Sequence, residues 1–378
     1  MTSGNPGIFW TIFSFLLVIG PLIFVHELGH YFVGRWFGVK AEIFSIGFGR
    51  EIAGWTDKRG TRWKLAWLPL GGYVKFAGDM NPASQPDPEW LALPAEERAR
   101  TFQSKPVWQR FLIVAAGPVT NFILAILVFT GFLMAYGEPR TPPLVGAVQA
   151  GSAAQAAGLA AGDRILSVGG SRIERFEDLS RVVLMRPGEI MTIRYERAGS
   201  VGETQARIGE RVERDRFGNE FRGGLLGVER PPVVVDDVSL PGAFAGAIGI
   251  TGHVVSTTVQ GIGQIITGKR SVKELGGPLK IAKFSGEQAS LGWIAFVWFI
   301  AVISINLGFI NLLPIPMLDG GHLLLYLVEG VRRKPLKPEA QEWAFRTGLA
   351  ALLALMLFVT FNDLASFGLW SKLGGLIG

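Results

Sequence analysis

Phe24–Val25–His26–Glu27–Leu28–Gly29–His30 closes a run, residues 8–25, that is otherwise almost wholly apolar. Read as a helix, it sets His26 and His30 four residues apart on one face, where two imidazoles can share a metal ion. Glu27 follows the first histidine, where a carboxylate can take a proton from water activated at that ion. Two histidines and a glutamate are costly in an apolar segment and mark function there by default. A chance pattern in a soluble core helix accounts for one histidine, not for three polar residues in this spacing beside lipid. The run is therefore the first membrane span. It does not read as a removable signal peptide, because no basic residue precedes it and it carries the ligand candidates.

Outward from that stretch the rest of the chain agrees. It has 378 residues, 49% of them hydrophobic, and a mean hydropathy of +0.33. Several runs approach the roughly 20 apolar residues that span a bilayer. The fold class expected is a polytopic α-helical membrane protein of about four transmembrane helices, the others at 108–136, 291–313 and 343–361. A net charge of +6 is met by basic cytoplasmic loops, and no basic-aromatic stripe points to nucleic acid as a partner. The chain has no cysteine, which excludes disulfides and thiolate metal ligands.

Between the first two spans, residues 35–110 carry twelve Lys/Arg against eight Asp/Glu, a cytoplasmic bias. Strand-like runs at 43–49, 63–67 and 73–76 suggest a small membrane-associated sheet or hairpin. It either lends an edge to an extended peptide or merely connects the spans. Residues 81–100 read as a Pro- and charge-rich loop. In the second span, Asn121 either glues helices together or lines the site, and glue is the reading adopted.

Residues 138–232 return to soluble character. Ala157–Gly158–Leu159 followed by Gly162–Asp163–Arg164–Ile165–Leu166 resembles a single bacterial PDZ domain, a β-rich α+β fold. Such a domain captures a peptide by strand addition, often with its carboxylate held by backbone N–H groups. The loop at Leu144, Val145 and Gly146 is the candidate for that role, and a domain that only filters by size is the alternative. Residues 241–267, Gly/Ala-rich and holding the lone His253, read as an interfacial or packed helix. The domains expected are 1–137, 138–232, a linker region at 233–290, and 291–378.

The third span ends in Asn311–Leu312–Leu313–Pro314–Ile315–Pro316–Met317–Leu318–Asp319–Gly320–Gly321–His322. Prolines and glycines break the helix there, and irregular backbone at membrane depth is tolerated where it lines a cavity. Asp319 can be aimed inward as a third, oxygen ligand. Helix is expected to resume over 323–328, followed by a basic loop at Arg332, Arg333, Lys334 and Lys337. If residues 35–110 are cytoplasmic, the second span exits and the third re-enters. The crossings then bring Asp319 to the same membrane depth as the histidines.

Together, His-Glu-Leu-Gly-His, the PDZ-like insert and the Asn311-to-Gly320 motif resemble the site-2 protease family of intramembrane metalloproteases, in its regulator-of-sigma-E branch. Residues 115–118 and Gly277–Pro278–Leu279 share the resemblance. It implies one zinc ion held by His26, His30 and Asp319, with Glu27 as base. It implies substrate contacts at Asn311, Pro314 and Pro316 and in a β-loop around Gly47, Phe48 and Gly49. It also implies residence in the bacterial inner membrane, with the PDZ domain outside and the active site near the cytoplasmic face. The partners implied are single-span, anti-sigma-factor-like substrates first cut by an upstream site-1-type protease. Two rivals are weighed: a membrane-anchored metalloprotease acting on soluble chains, and a non-enzymatic PDZ scaffold.

Overall fold

The computed structural model describes residues 7–79, 93–214, 220–268, 272, 276–334 and 338–366. Residues 81–92 of the expected Pro-rich loop, and Lys337 of the basic loop, lie outside them. The chain divides into two units, Met1–Thr130 with Ala247–Gly378, and Gly131–Gly246.

The first unit opens with α1 (Ile8–Trp36), one continuous helix that carries the apolar run and the His-Glu-Leu-Gly-His stretch. Its first turns expose Phe9, Ile12, Phe13, Leu16 and Leu17, whereas Val18, Leu22, Ile23, His26, Glu27 and His30 are buried. Strands β1 (Ala41–Thr56) and β2 (Arg62–Phe76) follow. They are longer than the three separate runs expected: the runs at 63–67 and 73–76 fall in one strand, β2, and the register shifts repeatedly along the pair. Gly47 and Gly49 adopt φ of 89° and 90°, values that favour residues without a Cβ. Residues 41–46 pair with 72–76, and residues 53–56 pair with 62–65. Phe44, Val74 and Phe76 bury one face against Tyr31, Phe102 and Ile113. Ile52, Trp55, Trp67 and Leu68 stay exposed, a composition suited to the membrane–water interface. The short α2 (Ala95–Ala99) leads to α3 (Val107–Tyr136).

The second unit is a β-rich insert. After β3 (Glu138–Arg140) come α4 (Ala153–Ala156), β4 (Arg164–Val168), β5 (Ser171–Arg172), α5 (Phe176–Leu184), β6 (Ile190–Arg197) and β7 (Ser200–Arg207). Strands β8 (Gly209–Arg214) and β9 (Glu220–Leu225) form a hairpin, and β10 (Val234–Asp236) pairs with β3. The main sheet runs β5-β4-β6-β7. Alternating residues Met191 and Ile193 on β6 face the core, as do Ile165 and Val168 on β4, which a bulge between Ile165 and Ser167 brings to one side. Phe176, Leu179 and Val183 of α5 meet them, one stripe of a helix. The Asp178 carboxylate accepts the Arg175 N–H at 3.0 Å and caps that helix.

The chain returns through α6 (Leu240–Ile266), α7 (Pro278–Ser290), α8 (Trp293–Asn311), α9 (Asp319–Arg332) and α10 (Pro338–Ser366). Among the described residues, five helices are long and apolar enough to cross a membrane: α1, α3, α6, α8 and residues Glu342–Ala365 of α10. The protein is a polytopic membrane protein. The fifth such helix, α6, falls on the segment expected either at the interface or packed against the spans. Glycine, alanine and threonine dilute its apolar signal, yet small residues let helices approach closely, and Ala247 packs with Ala125, Phe129, Ala301 and Ile305. Helix α9 also starts earlier than expected, at Asp319 rather than residue 323. Gly320 and Gly321 fit its first turn because a Cβ on either would strike the Leu312, Leu313 or Ile315 carbonyls.

Candidate metal centre

Helix α1 presents His26 and His30 on one face, as the four-residue spacing requires. Their Nε2 atoms lie 3.2 Å apart. Asp319, the first residue of α9, closes the triangle. Its Oδ2 is 3.1 Å from His26 Nε2 and its Oδ1 is 3.6 Å from His30 Nε2. The irregular turn between α8 and α9 aims it there. Met317 in that turn holds a left-handed φ of 80°, a strain of the kind found at functional sites.

These donors fit a metal ion. A tetrahedral zinc site with bonds near 2.0–2.2 Å has edges of roughly 3.3–3.6 Å, and the three separations fall on or near that range. Asp319 Oδ2 is buried yet has no hydrogen-bond partner. An orphaned buried carboxylate oxygen facing two imidazole nitrogens is a donor set for a cation. Among the described residues, this is the one cluster of three or more such side chains able to hold a metal. His253 is not part of it.

Helix α3 builds the wall behind the histidines. The Ile113 carbonyl accepts a hydrogen bond from His30 Nδ1 at 2.9 Å, which leaves Nε2 with its lone pair. Four residues on, Gly117 faces both rings: a Cβ there would collide with His30 and lie 2.8 Å from His26 Nε2. Four further, the Asn121 side chain lies 3.1 Å from His26 Nδ1. The expectation that Asn121 only joins helices is thus incomplete. The joining is done by its backbone carbonyl, which accepts the Ser304 hydroxyl of α8 at 2.8 Å. Residues 113, 117 and 121 share a face by the same helical spacing as the histidines, a signal the sequence did carry. Close approach of α1 and α3 depends on Gly29, where a Cβ would strike the Ala116 carbonyl and Thr120 Oγ1.

A cavity of about 510 Å³ opens on the triangle. His26, Glu27, His30 and Asp319 line it together with Phe48, Gly71, Gly72, Tyr73, Asn311 and His322. Gly72 of β2 packs directly on Glu27, for a Cβ there would meet the Glu27 Cγ at 2.9 Å. Of the expected substrate residues, Asn311 and Phe48 reach this cavity. Gly47, Gly49, Pro314 and Pro316 are not among its lining residues; Pro316 packs against Gly348 of α10.

In the insert, Leu144, Val145 and Gly146 do not offer free backbone donors to a carboxylate. Their N–H groups are taken by the carbonyls of Pro142, Asp163 and Glu229 at 2.7, 2.8 and 3.0 Å. This corrects the expectation placed on that loop: its own turn and the chain segments beside it already use those hydrogen bonds.

Relatives match this chain over nearly their whole length. A protein of Agrobacterium fabrum named for a zinc metalloprotease is 44% identical, covering 94% of this chain and 96% of the relative. One of Mesorhizobium japonicum, named likewise, is 44% identical over 94% and 98%. The metalloprotease MmpA of Caulobacter vibrioides is 39% identical over 96% and 97%. A solved PDZ domain of an SdrC-like protein from Listeria monocytogenes overlaps 24% of this chain and 87% of that domain at 16% identity and a TM-score of 0.19, too slight a likeness to argue from. Residues 14–355, which span both histidines, the insert and Asp319, match the peptidase family M50, and with the metal triangle, the adjoining glutamate and these relatives the chain belongs to that family.

Proposed function

We propose that this peptidase is an intramembrane zinc metalloprotease, which hydrolyses peptide bonds within or beside the membrane segments of single-span proteins. The observation that carries the reading is the donor triangle of His26, His30 and Asp319 beside Glu27, three of the four on a helix long and apolar enough to cross a membrane. Zinc held by those three side chains supplies Lewis acidity, activating water and polarising the scissile carbonyl.

The chain's own groups do the rest. Glu27, buried on the cavity wall, accepts a proton from the attacking water and passes it to the leaving amine. A helical substrate cannot bring its carbonyl to the metal, so it must unwind locally. The stretch 71–74 of β2, which lines the cavity, supplies strand edge for an extended peptide. Asn311 and Phe48 flank the same space. The insert, read as a PDZ domain, stands on the extracytoplasmic side of the bacterial inner membrane, and the site lies near the cytoplasmic face beside the basic residues 35–110. Substrates of this class are anti-sigma-factor-like proteins already trimmed outside by another protease, and leftover signal peptides.

The test is cleavage of a single-span substrate by the purified protein in detergent, wild type beside Glu27→Gln, with the cut mapped by mass spectrometry and zinc measured in both. A cut inside the apolar segment that Glu27→Gln abolishes while keeping its zinc is the expected result. Full activity of the variant refutes the role of Glu27. A cut confined to soluble flanks refutes intramembrane cleavage.

A further inference from the structure

We infer that Asn121 is the positioning residue for His26: its side-chain carbonyl accepts the His26 Nδ1–H and so fixes the tautomer whose Nε2 lone pair faces the metal. This rests on the zinc reading above and goes beyond it.

Both histidines face the same requirement, because a ring nitrogen can ligate only if the proton sits on the other one. His30 meets it through the Ile113 carbonyl, an obligate acceptor. His26 faces a carboxamide instead, 3.1 Å from its Nδ1. An amide can present either end. With its NH2 group toward Nδ1, the His26 proton lies on Nε2, pointing into the triangle at His30 and Asp319. That is the orientation in the structure, where Nδ2 is the atom 3.1 Å from Nδ1, and there Asn121 Oδ1 is buried with no hydrogen-bond partner. A half-turn of the amide exchanges two groups of nearly equal size. Oδ1 then accepts the Nδ1–H, and the His26 lone pair is free for the ion.

The fold separates this role from simple helix joining. Asn121 is fully buried, and α8 holds it through its backbone carbonyl and Ser304. Removing the amide therefore leaves the α3–α8 link in place.

The experiment measures zinc affinity of the full-length protein in detergent by competition with a chromophoric chelator, for wild type, Asp319→Ala, Asn121→Leu and Asn121→Asp. Asn121→Leu, similar in volume but without an acceptor, is expected to bind zinc roughly 10–100-fold more weakly. Asn121→Asp, which keeps the acceptor, is expected to stay within a few-fold of wild type. Wild-type affinity in the leucine variant overturns the inference, and so does an equal loss in both variants, which would make the role one of packing. A second readout does not depend on the leucine variant folding. In cobalt-loaded Asn121→Asp, the stronger acceptor should shift the ligand-field bands; unshifted bands overturn the inference. A wild type that binds no zinc, or an Asp319→Ala protein that binds it as tightly, refutes the zinc site itself. Zinc bound tightly by wild type and by Asn121→Leu, but not by Asp319→Ala, refutes only the role of Asn121.

Discussion

Gly117→Ala separates the metal site from the fold that carries it. An ideal Cβ at this position would lie 2.8 Å from His26 Nε2 and closer still to His30. An ordinary carbon contact is about 3.5 Å, so His26 must retreat by about 0.7 Å and His30 by more. Zinc–nitrogen bonds tolerate about 0.2 Å. The displacement is several times that allowance and falls on two ligands at once, in a helix pair that cannot separate without losing the contact at Gly29. The expected outcome is loss of zinc affinity by at least about 100-fold, with cleavage falling in step. Helix propensity points the other way, since alanine inside a helix is favoured over glycine by about 1 kcal/mol. The variant should therefore unfold in detergent no earlier than metal-free wild type. Gly131→Ala is the control on the same helix, because nothing lies within 4 Å of its Cβ position, and it should change neither property. Zinc is measured by chelator competition, cleavage on a single-span substrate, and unfolding by thermal scan. Wild-type zinc affinity and cleavage in Gly117→Ala would refute the placement of α3 against the histidines.

Two further perturbations probe the scaffold. The buried Asp363 carboxylate of α10 accepts the Gly277 and Lys280 N–H groups, each at 3.1 Å to Oδ2, and caps α7 from outside the helix. Asp363→Ala should cost about 2–3 kcal/mol, read as an earlier unfolding midpoint that Asp363→Asn partly restores; an unchanged midpoint refutes the cap. In the insert, burial works to raise the Asp163 carboxyl. Hydrogen bonds from Arg197 at 2.6 and 2.7 Å and from the Ala160 N–H at 2.8 Å outweigh it and hold the carboxyl below its usual range. A carboxyl depressed in the folded state stabilises fully above its unfolded value, near pH 4, and that stabilisation fades as pH falls through the lower folded value. The insert of the wild type should thus lose midpoint below about pH 4 more steeply than that of Asp163→Asn. A fluorophore on a single introduced cysteine at exposed Val201 reports this in the full chain, which has no cysteine of its own. Parallel pH profiles would refute the pairing.

Much of the site was legible before any coordinates. The face shared by His26 and His30 follows from a local repeat of the helix, and the apolar run around it from the bilayer's thickness. The break after Asn311 follows from proline and glycine backbone chemistry. Each of these depends on residues a few positions apart, which is where sequence patterns carry physical information. The third ligand could be named from its motif and from the helix break that precedes it. Only packing brought it within bonding reach.

What tertiary structure alone decided is long-range and partly without a side-chain signature. The partner of His30 is a backbone carbonyl, which every residue at position 113 would provide. The need for glycine at 72 and 117 arises because another element approaches to van der Waals contact. Asn121 reads as helix glue until α1 lies beside α3 and puts a ring nitrogen against its amide. The loop at 144–146 looked free until its own turn and neighbouring segments claimed its N–H groups, and of the two readings of α6, interfacial or packed, its contacts with α3 and α8 favour the second. The sequence determined which groups could do metal chemistry in a membrane, because that is written in residue types and local periodicity. Which groups hold them in place was decided by the close approach of helices distant in the chain, because such contacts depend on shape and not on spacing.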